Sequence, residues 1–198
     1  MAEQLQLRSI LLAARVRLEP LVEAHRAPLA AAANDPAIWA HMPADASGDG
    51  FAAWFDAALA AADCGSEAVW AVRAGGGLLG STRYLAIEPA HRRLELGHTW
   101  FAHSVWGGHV NPACKFALLR YGFETLAMNR VEFKTDSRNL RSQAALAKLG
   151  AVREGVFRAH MIRRDGSLRD SVYFSIVRSE WPAVRERLAA RLGVLELA

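Results

Sequence analysis

The feature that most constrains this chain is the order in which its apolar spacing switches between the period of a strand and that of a helix. Val16 to Glu19 alternates apolar and polar and stops at Pro20, which suits a first strand. Leu21 to Ala33 reads as an alanine-rich helix closed by Asn34-Asp35-Pro36, and Phe51 to Ala62 as a second helix. Ala68 to Arg73 and Leu78 to Ile87 are strand-like runs around Ala74-Gly75-Gly76-Gly77, a hairpin signal, and Arg93 to Phe101 supplies another strand. Val110 to Leu126 places Phe116, Leu119, Phe123 and Leu126 along one helical face. Arg130 to Thr135 alternates again, with Val131, Phe133 and Thr135 on one side, and Asn139 to Leu149 reads as a helix stopped by Gly150. Val152 to Ile162 and Leu168 to Val177 flank an Asp165-Gly166 turn. A last helix over about 180–194 carries Trp181, Val184, Leu188 and Leu192 on one stripe. Helices interspersed among strands in this way predict an α/β (α+β) fold with a central mixed sheet covered on both faces.

Composition narrows the classes. With 52% hydrophobic and 22% charged residues in 198, the chain has material for one sizeable core, so a single domain over 1–198 is expected. The apolar stretch Ile10 to Ala14 is far shorter than the ~20 residues that cross a bilayer, so neither signal peptide nor membrane span is read and a cytoplasmic location is expected. Cys64 and Cys114 lack the spacing of a disulfide scaffold or a zinc site, which leaves two free thiols. No His/Cys/Asp/Glu set has ligand spacing, so no metal is expected. The net charge of +4 comes from arginine, lysine occurring only at Lys115, Lys134 and Lys148. The arginines are scattered among acids, which argues against nucleic acid as a partner and fits a mildly basic cleft for an anionic cofactor.

Three motifs lie on these elements in order. Glu95-Leu96-Gly97-His98-Thr99-Trp100-Phe101 occupies the third strand of the central run; Trp106-Gly107-Gly108-His109-Val110-Asn111 enters a helix; and Asn139-Leu140-Arg141-Ser142 is followed by Lys148-Leu149-Gly150-Ala151. Together they resemble the acetyl-coenzyme A core of the GNAT acetyltransferases, in the branch of the ribosomal-protein N-terminal acetyltransferases RimJ and RimL. Asn34-Asp35-Pro36 and the run from Ser175 to Trp181 resemble that branch's beginning and end, so the likeness spans roughly 16–182. The resemblance implies the GNAT fold with a mostly antiparallel sheet, acetyl-CoA as co-substrate, an amine acceptor that is a protein N-terminus or a small molecule, and a homodimer by habit among relatives. The family's loop pattern is Q/R-x-x-G-x-G/A, and here those positions hold Trp106, His109 and Asn111. Re-registration around Gly107-Gly108 is favoured over weakened cofactor binding, because those glycines supply the dihedrals of an anion-binding nest.

Chemistry attaches to particular residues. The amides of Gly107, Gly108, His109, Val110 and Asn111, ahead of a helix, suit a pyrophosphate; a plain glycine turn with Asn111 as N-cap is the alternative. The resemblance implies that pantetheine lies along Trp100, Phe101 and Ala102 like an added strand, with an amide there for the tetrahedral oxyanion. Glu95 stands eleven residues before Trp106, where several enzymes of the family carry a catalytic glutamate, so it reads either as the base for the amine or as a structural partner of an arginine. By alternation Glu95 shares a face with Gly97 and Thr99, while Leu96, His98 and Trp100 take the other, which disfavours His98 as the base. His41, His103 and His160 read as surface or loop histidines. Asn139 and Ser142 share the first turn of a helix; in the branch this serine is proposed to protonate the departing thiolate and the asparagine to hold pantetheine, while capping is the local alternative. Four positions after Ser142, where many relatives have a tyrosine, this chain has Leu146. Trp39, Met42, Trp54 and Phe55 are read equally as walls of an acceptor pocket and as core. Two rival readings stay open: an acyl-coenzyme A sensor or interaction module of the same fold, and an RNA-associated protein.

Overall fold

In the computed structural model, which describes residues 7–194, one sheet of eight strands runs through the molecule. Its strands are β1 (Leu11–Ala13), β2 (Val16–Pro20), β3 (Ala68–Ala74), β4 (Gly77–Glu88), β5 (Arg93–Phe101), β6 (Arg130–Asp136), β7 (Val152–Ile162) and β8 (Leu168–Val177). The helices are α1 (Arg26–Ala33), α2 (Pro36–Trp39), α3 (Gly50–Asp63), α4 (Val110–Arg120), α5 (Leu140–Leu149) and α6 (Trp181–Leu192). Spatial order follows the chain except at the end, where β8 lies between β6 and β7. Every neighbouring pair is antiparallel save β5 with β6, so the sheet is mixed and mostly antiparallel.

Turn chemistry explains the hairpins. Gly75 and Gly76 both have positive φ (58° and 85°), the conformation of the tight two-residue turn that joins β3 to β4. Ala14 and Arg15 do the same between β1 and β2, at φ 44° and 64°, without glycine. That turn has no sequence signature, and β1 is a strand the apolar run from Ile10 did not announce. Two helix limits move and one short helix is added. The helix predicted from Leu21 begins at Arg26, after a 3₁₀ turn at Glu23–His25. Asn34-Asp35-Pro36 ends α1 and starts α2, because the Asp35 side chain accepts from the Ala37 amide (2.9 Å) and Pro36 needs no N–H in the first turn. The helix predicted to reach Leu126 widens after Arg120 into a π-turn over Tyr121–Thr125.

The sheet separates two cores. On one face α4 and α6 cover Leu94, Leu96, Val131, Phe133, Val172, Phe174 and Ile176. Trp181, at the start of α6, stacks on Phe123 at 5.5 Å and donates its indole N–H to Glu124. On the other face Trp39, Phe51 and Phe55 pack on Val69, Ala71, Leu78 and Trp100. Burying each such aliphatic or aromatic side chain contributes about 1.5–3 kcal/mol.

The arrangement that positions a site is the junction of β5 and β6. They pair only at Arg93 with Arg130, Leu94 with Val131 and Glu95 with Glu132. Beyond Glu95, β5 stays on β4 as far as Phe101, and β6 stays on β8 as far as Asp136, so the two strands part and leave a wedge-shaped gap. Gly80, opposite Phe101, lets β4 approach this end of β5; a Cβ there would lie 2.2 Å from the Trp100 carbonyl oxygen. Gly80→Ala should therefore cost about 1–3 kcal/mol of stability. Thermal unfolding checks this, with a fall in melting temperature of about 2–4 °C per kcal/mol.

Candidate active site

β5 does not alternate through to its end. Arg83 pairs with Gly97 and Ser81 with Trp100, so Thr82 alone faces both His98 and Thr99. This is a β-bulge, with His98 at φ 46°, and it reverses the parity of the last residues of the strand. The expected face assignment is corrected accordingly. Trp100 packs beside Trp39 (5.2 Å) and Trp54 (5.5 Å), on the face away from Leu96, while Thr99 turns to the α4 side and accepts from Lys115 Nζ (3.1 Å). Past the bulge, the Ala102 amide donates to the Leu79 carbonyl (2.7 Å). Alternation then commits Trp100 to β4 as well, and leaves the main-chain N–H of Phe101 facing the gap. The Phe101 carbonyl accepts from the Trp106 indole N–H (2.9 Å).

Glu95 sits at the point where the strands part and is 5% exposed. Burial raises its carboxyl above the usual range, against the pull of Lys134, whose Nζ lies 3.3 Å from Oε2. A Cβ on Gly97 would come within 3.0 Å of Glu95 Oε1, so the glycine leaves room for that carboxylate. His98 is pushed down to about 4, by burial first and by the nearby Arg83 charge next, so its imidazole is neutral at pH 7. His103 pairs with Asp35 (3.1 Å) and His160 with the Ser171 hydroxyl (3.0 Å), partners that were not visible from spacing.

The loop before α4 is open. Gly107 takes φ 74°, the value only glycine adopts freely, whereas His109 has an ordinary φ of −81° and caps the helix in place of Asn111. His109 is exposed. The Gly108 amide donates to the Val105 carbonyl (3.3 Å). The amides of Gly107, His109, Val110 and Asn111 bond to nothing among the described residues. Trp106 anchors the loop, with its ring 3.6 Å from the Arg141 guanidinium carbon and 4.3 Å from His103. On α5, Asn139 is the N-cap and its Oδ1 accepts from the Ser142 amide (3.0 Å). The Ser142 hydroxyl bonds to nothing among the described residues.

A wedge between two central strands thus carries free amides of a helix N-terminus at its mouth and a carboxylate at its apex. The model of the acetyltransferase (GNAT) domain matches residues 15–152. The chain belongs to the GNAT acetyltransferase family. A protein of Bacillus subtilis (strain 168), "Putative ribosomal N-acetyltransferase YdaF", is 32% identical over 107 residues, 54% of this chain and 57% of its own length. The chain thus spans little more than half the length of the curated relatives it matches. The GCN5-related N-acetyltransferase from Brucella melitensis superposes with a TM-score of 0.87 at 28% identity, covering 93% of this chain and 86% of that one. Mycobacterium smegmatis RimJ, in complex with CoA-disulfide, superposes with a TM-score of 0.77 at 22% identity, over 92% and 93% of the two chains, and at that identity reports the fold.

Within this GNAT frame the aromatic residues divide. Trp39 and Phe55 are fully enclosed in the core, and the Trp39 indole donates to the Ala33 carbonyl (2.9 Å); Trp54 and Met42 are half-buried and reach surface. Three charged residues escaped the sequence reading. Lys115 is buried beneath the gap with no carboxylate of the described residues beside it, its Nζ on Thr99 and 5.5 Å from the Phe133 ring centroid. Its one signal was its position four residues before Leu119 on the apolar face of α4. Arg83 and Arg169 are likewise buried, and no local pattern marked them. A cavity of about 770 Å3 lies at the far end of the sheet beside Pro20, Cys64 and Ile87, and Lys115, Arg83 and Arg169 do not line it.

Burial lowers Lys115 to about 8 from 10.5. The unfolded chain therefore binds more protons than the folded one between those values, so stability rises as pH rises through that window, and below it the cost of the buried charge is complete. Lys115→Met should stabilise the fold at pH 7 by about 1–4 kcal/mol. The gain should shrink above pH 8, which denaturant melts at pH 7 and 10 would show.

Proposed function

We propose that this GNAT chain moves an acetyl group from acetyl-coenzyme A to a primary amine by direct attack in a ternary complex. The observation that carries the reading is the parting of β5 and β6 with Glu95 at its apex and four free amides at its mouth. The residues fit the coenzyme. Amides at a helix N-terminus suit a diphosphate, and the unpaired edge of β5 beyond Glu95 suits the amide groups of pantetheine. The solved RimJ with CoA-disulfide and the microcin immunity protein MccE with acetyl-CoA and AMP, both under 25% identical, lend the same fold to the same class of ligand. Acetyl-CoA, when bound, supplies an activated acyl group as its thioester.

The chain's own residues do the rest. An acceptor amine is an ammonium at pH 7 and must lose a proton before it attacks. Glu95, whose carboxyl is raised by burial against the pull of Lys134, accepts that proton. The Phe101 N–H, preorganised by the bulge, faces the growing oxyanion. Ser142, whose amide is tied to Asn139 while its hydroxyl is free, donates to the departing thiolate. The half-buried Trp54 and Met42 border the acceptor side, and the acceptor is a protein N-terminus or a small-molecule amine.

Two outcomes test this. Because Glu95 titrates above the ordinary carboxylate value, kcat/KM should rise with pH along a limb displaced upward from that value. Glu95→Gln should erase the limb and lower kcat by about 10²–10⁴-fold while coenzyme A affinity, read by calorimetry, is unchanged. Gly107→Ala meets no atom within 4 Å, so its cost is the strained φ, about 1–2 kcal/mol, and it should weaken coenzyme A binding. Coenzyme A bound without thiol release across an amine panel would instead identify a sensor.

A further inference from the structure

Arg169, on β8, is 8% exposed, yet its guanidinium makes no hydrogen bond to any described residue, and its Nε is sealed from solvent without a partner. The nearest carboxylate, Asp136, is 3.8 Å away and already committed. Asp136 accepts from Arg163 Nε (2.7 Å), Arg163 Nη2 (2.8 Å) and the Arg138 amide (2.8 Å). A guanidinium carries five donors in a planar fork, and enclosing the Nε–H of this one without an acceptor is a cost that a suitable ligand would relieve.

Its position says what that something is. Lys134 pairs with Tyr173 and Asp136 with Ser171, so by alternation Arg169 stands on the same face of the sheet as Lys134, Tyr173 and Glu95. Its charge acts on Glu95, His98, His160 and Tyr173, which places it among the groups of the acceptor side rather than under α4. Phe157 and Tyr173, with rings 4.4 Å apart, and His160 form an aromatic wall beside it. A cavity of about 340 Å3, lined by Glu132, Phe157 and Tyr173 together with the ion-paired Arg93, Arg130 and Glu154, opens on the same face nearer the Glu132 end of the strands, and Arg169 itself does not line it. Across the face, Arg83 is also buried, with one nitrogen on Glu67 (2.6 Å) and two without partners.

We propose that Arg169 is the anchor for a carboxylate on the acceptor, so that the substrates of this chain are small amines that also carry a carboxyl group, such as amino acids. The fork matches a carboxylate two bonds at a time, and a single negative charge is what the setting accepts. Asp136, Glu95 and Glu132 on the same face would repel a dianionic phosphate. The inference rests on the reading of Glu95 as the base of an amine acetyltransferase.

The experiment pairs amino acids of different chain length with their carboxamides, as ligands for the coenzyme A-loaded full chain in calorimetry and as acceptors in thiol release. At least one amino acid should bind tenfold or more tightly than its amide. Arg169→Gln should remove that preference by weakening the carboxylate alone, and Arg169→Lys should restore part of it; coenzyme A affinity should be unchanged in both. Equal affinity of every acid and amide for the unsubstituted chain would overturn the proposal without need of a variant, as would a variant that weakens both members of a pair alike. A carboxylate preference in binding with no thiol release would keep the anchor and sink the transfer reading. Thiol release without preference would do the reverse.

Discussion

The backbone ladder between β5 and β6 is only three parallel pairs long, and the rest of the molecule is arranged around that short seam. A central sheet normally gains from continuing its ladder; here β5 beyond Glu95 has no strand partner on one side, where the Trp106 indole takes the Phe101 carbonyl and the edge that remains is of the kind an extended ligand completes. The seam holds because both strands are secured on their outer edges, β5 by β4 and β6 by β8. The bulge at His98 then turns the end of β5 so that Trp100 joins the tryptophan cluster while Phe101 faces the opposite core. One extra residue thus locks the strand end between two cores, which is what keeps a gap from closing by simple register slip.

The charges around the gap are undercompensated. Glu95 is raised by burial despite its lysine, and among the described residues Lys115 has no carboxylate beside it and Arg83 and Arg169 keep donors without acceptors. Structural ion pairs elsewhere look different: Arg130 grips Glu154 with two nitrogens and Arg163 grips Asp136 likewise, and there the carboxylates titrate low. The contrast sets the closed ion pairs that hold the fold apart from the charged groups around the gap, whose perturbed environments are the kind found at functional sites.

Much of this was legible in the sequence. The limits of β5, β7 and β8 coincide with their apolar runs, because each is bounded by a turn of unambiguous chemistry or by a helix stop. β1 was not legible, since Ala14 and Arg15 adopt positive φ without glycine or asparagine to advertise it. The parity of Thr99 and Trp100 was missed for a related reason: a bulge formed by histidine rather than glycine leaves no mark, and strict alternation carries the error to the end of the strand. Gly107, Asn139 and Ser142 could be placed because helix starts have local rules. Arg83, Lys115 and Arg169 could not, because what distinguishes them is burial created by segments remote in the chain.

Trp106 fastens the mouth of the gap. Its indole ties the loop to the last carbonyl of β5, and its ring contacts Arg141 from α5 and His103, itself bound to the start of α2. Four pieces of chain are therefore joined through one side chain before any ligand arrives. The entropy of ordering that loop is lost at folding, so association with an anionic ligand need not wait on a slow closing step, and its rate is governed by diffusion and electrostatic attraction.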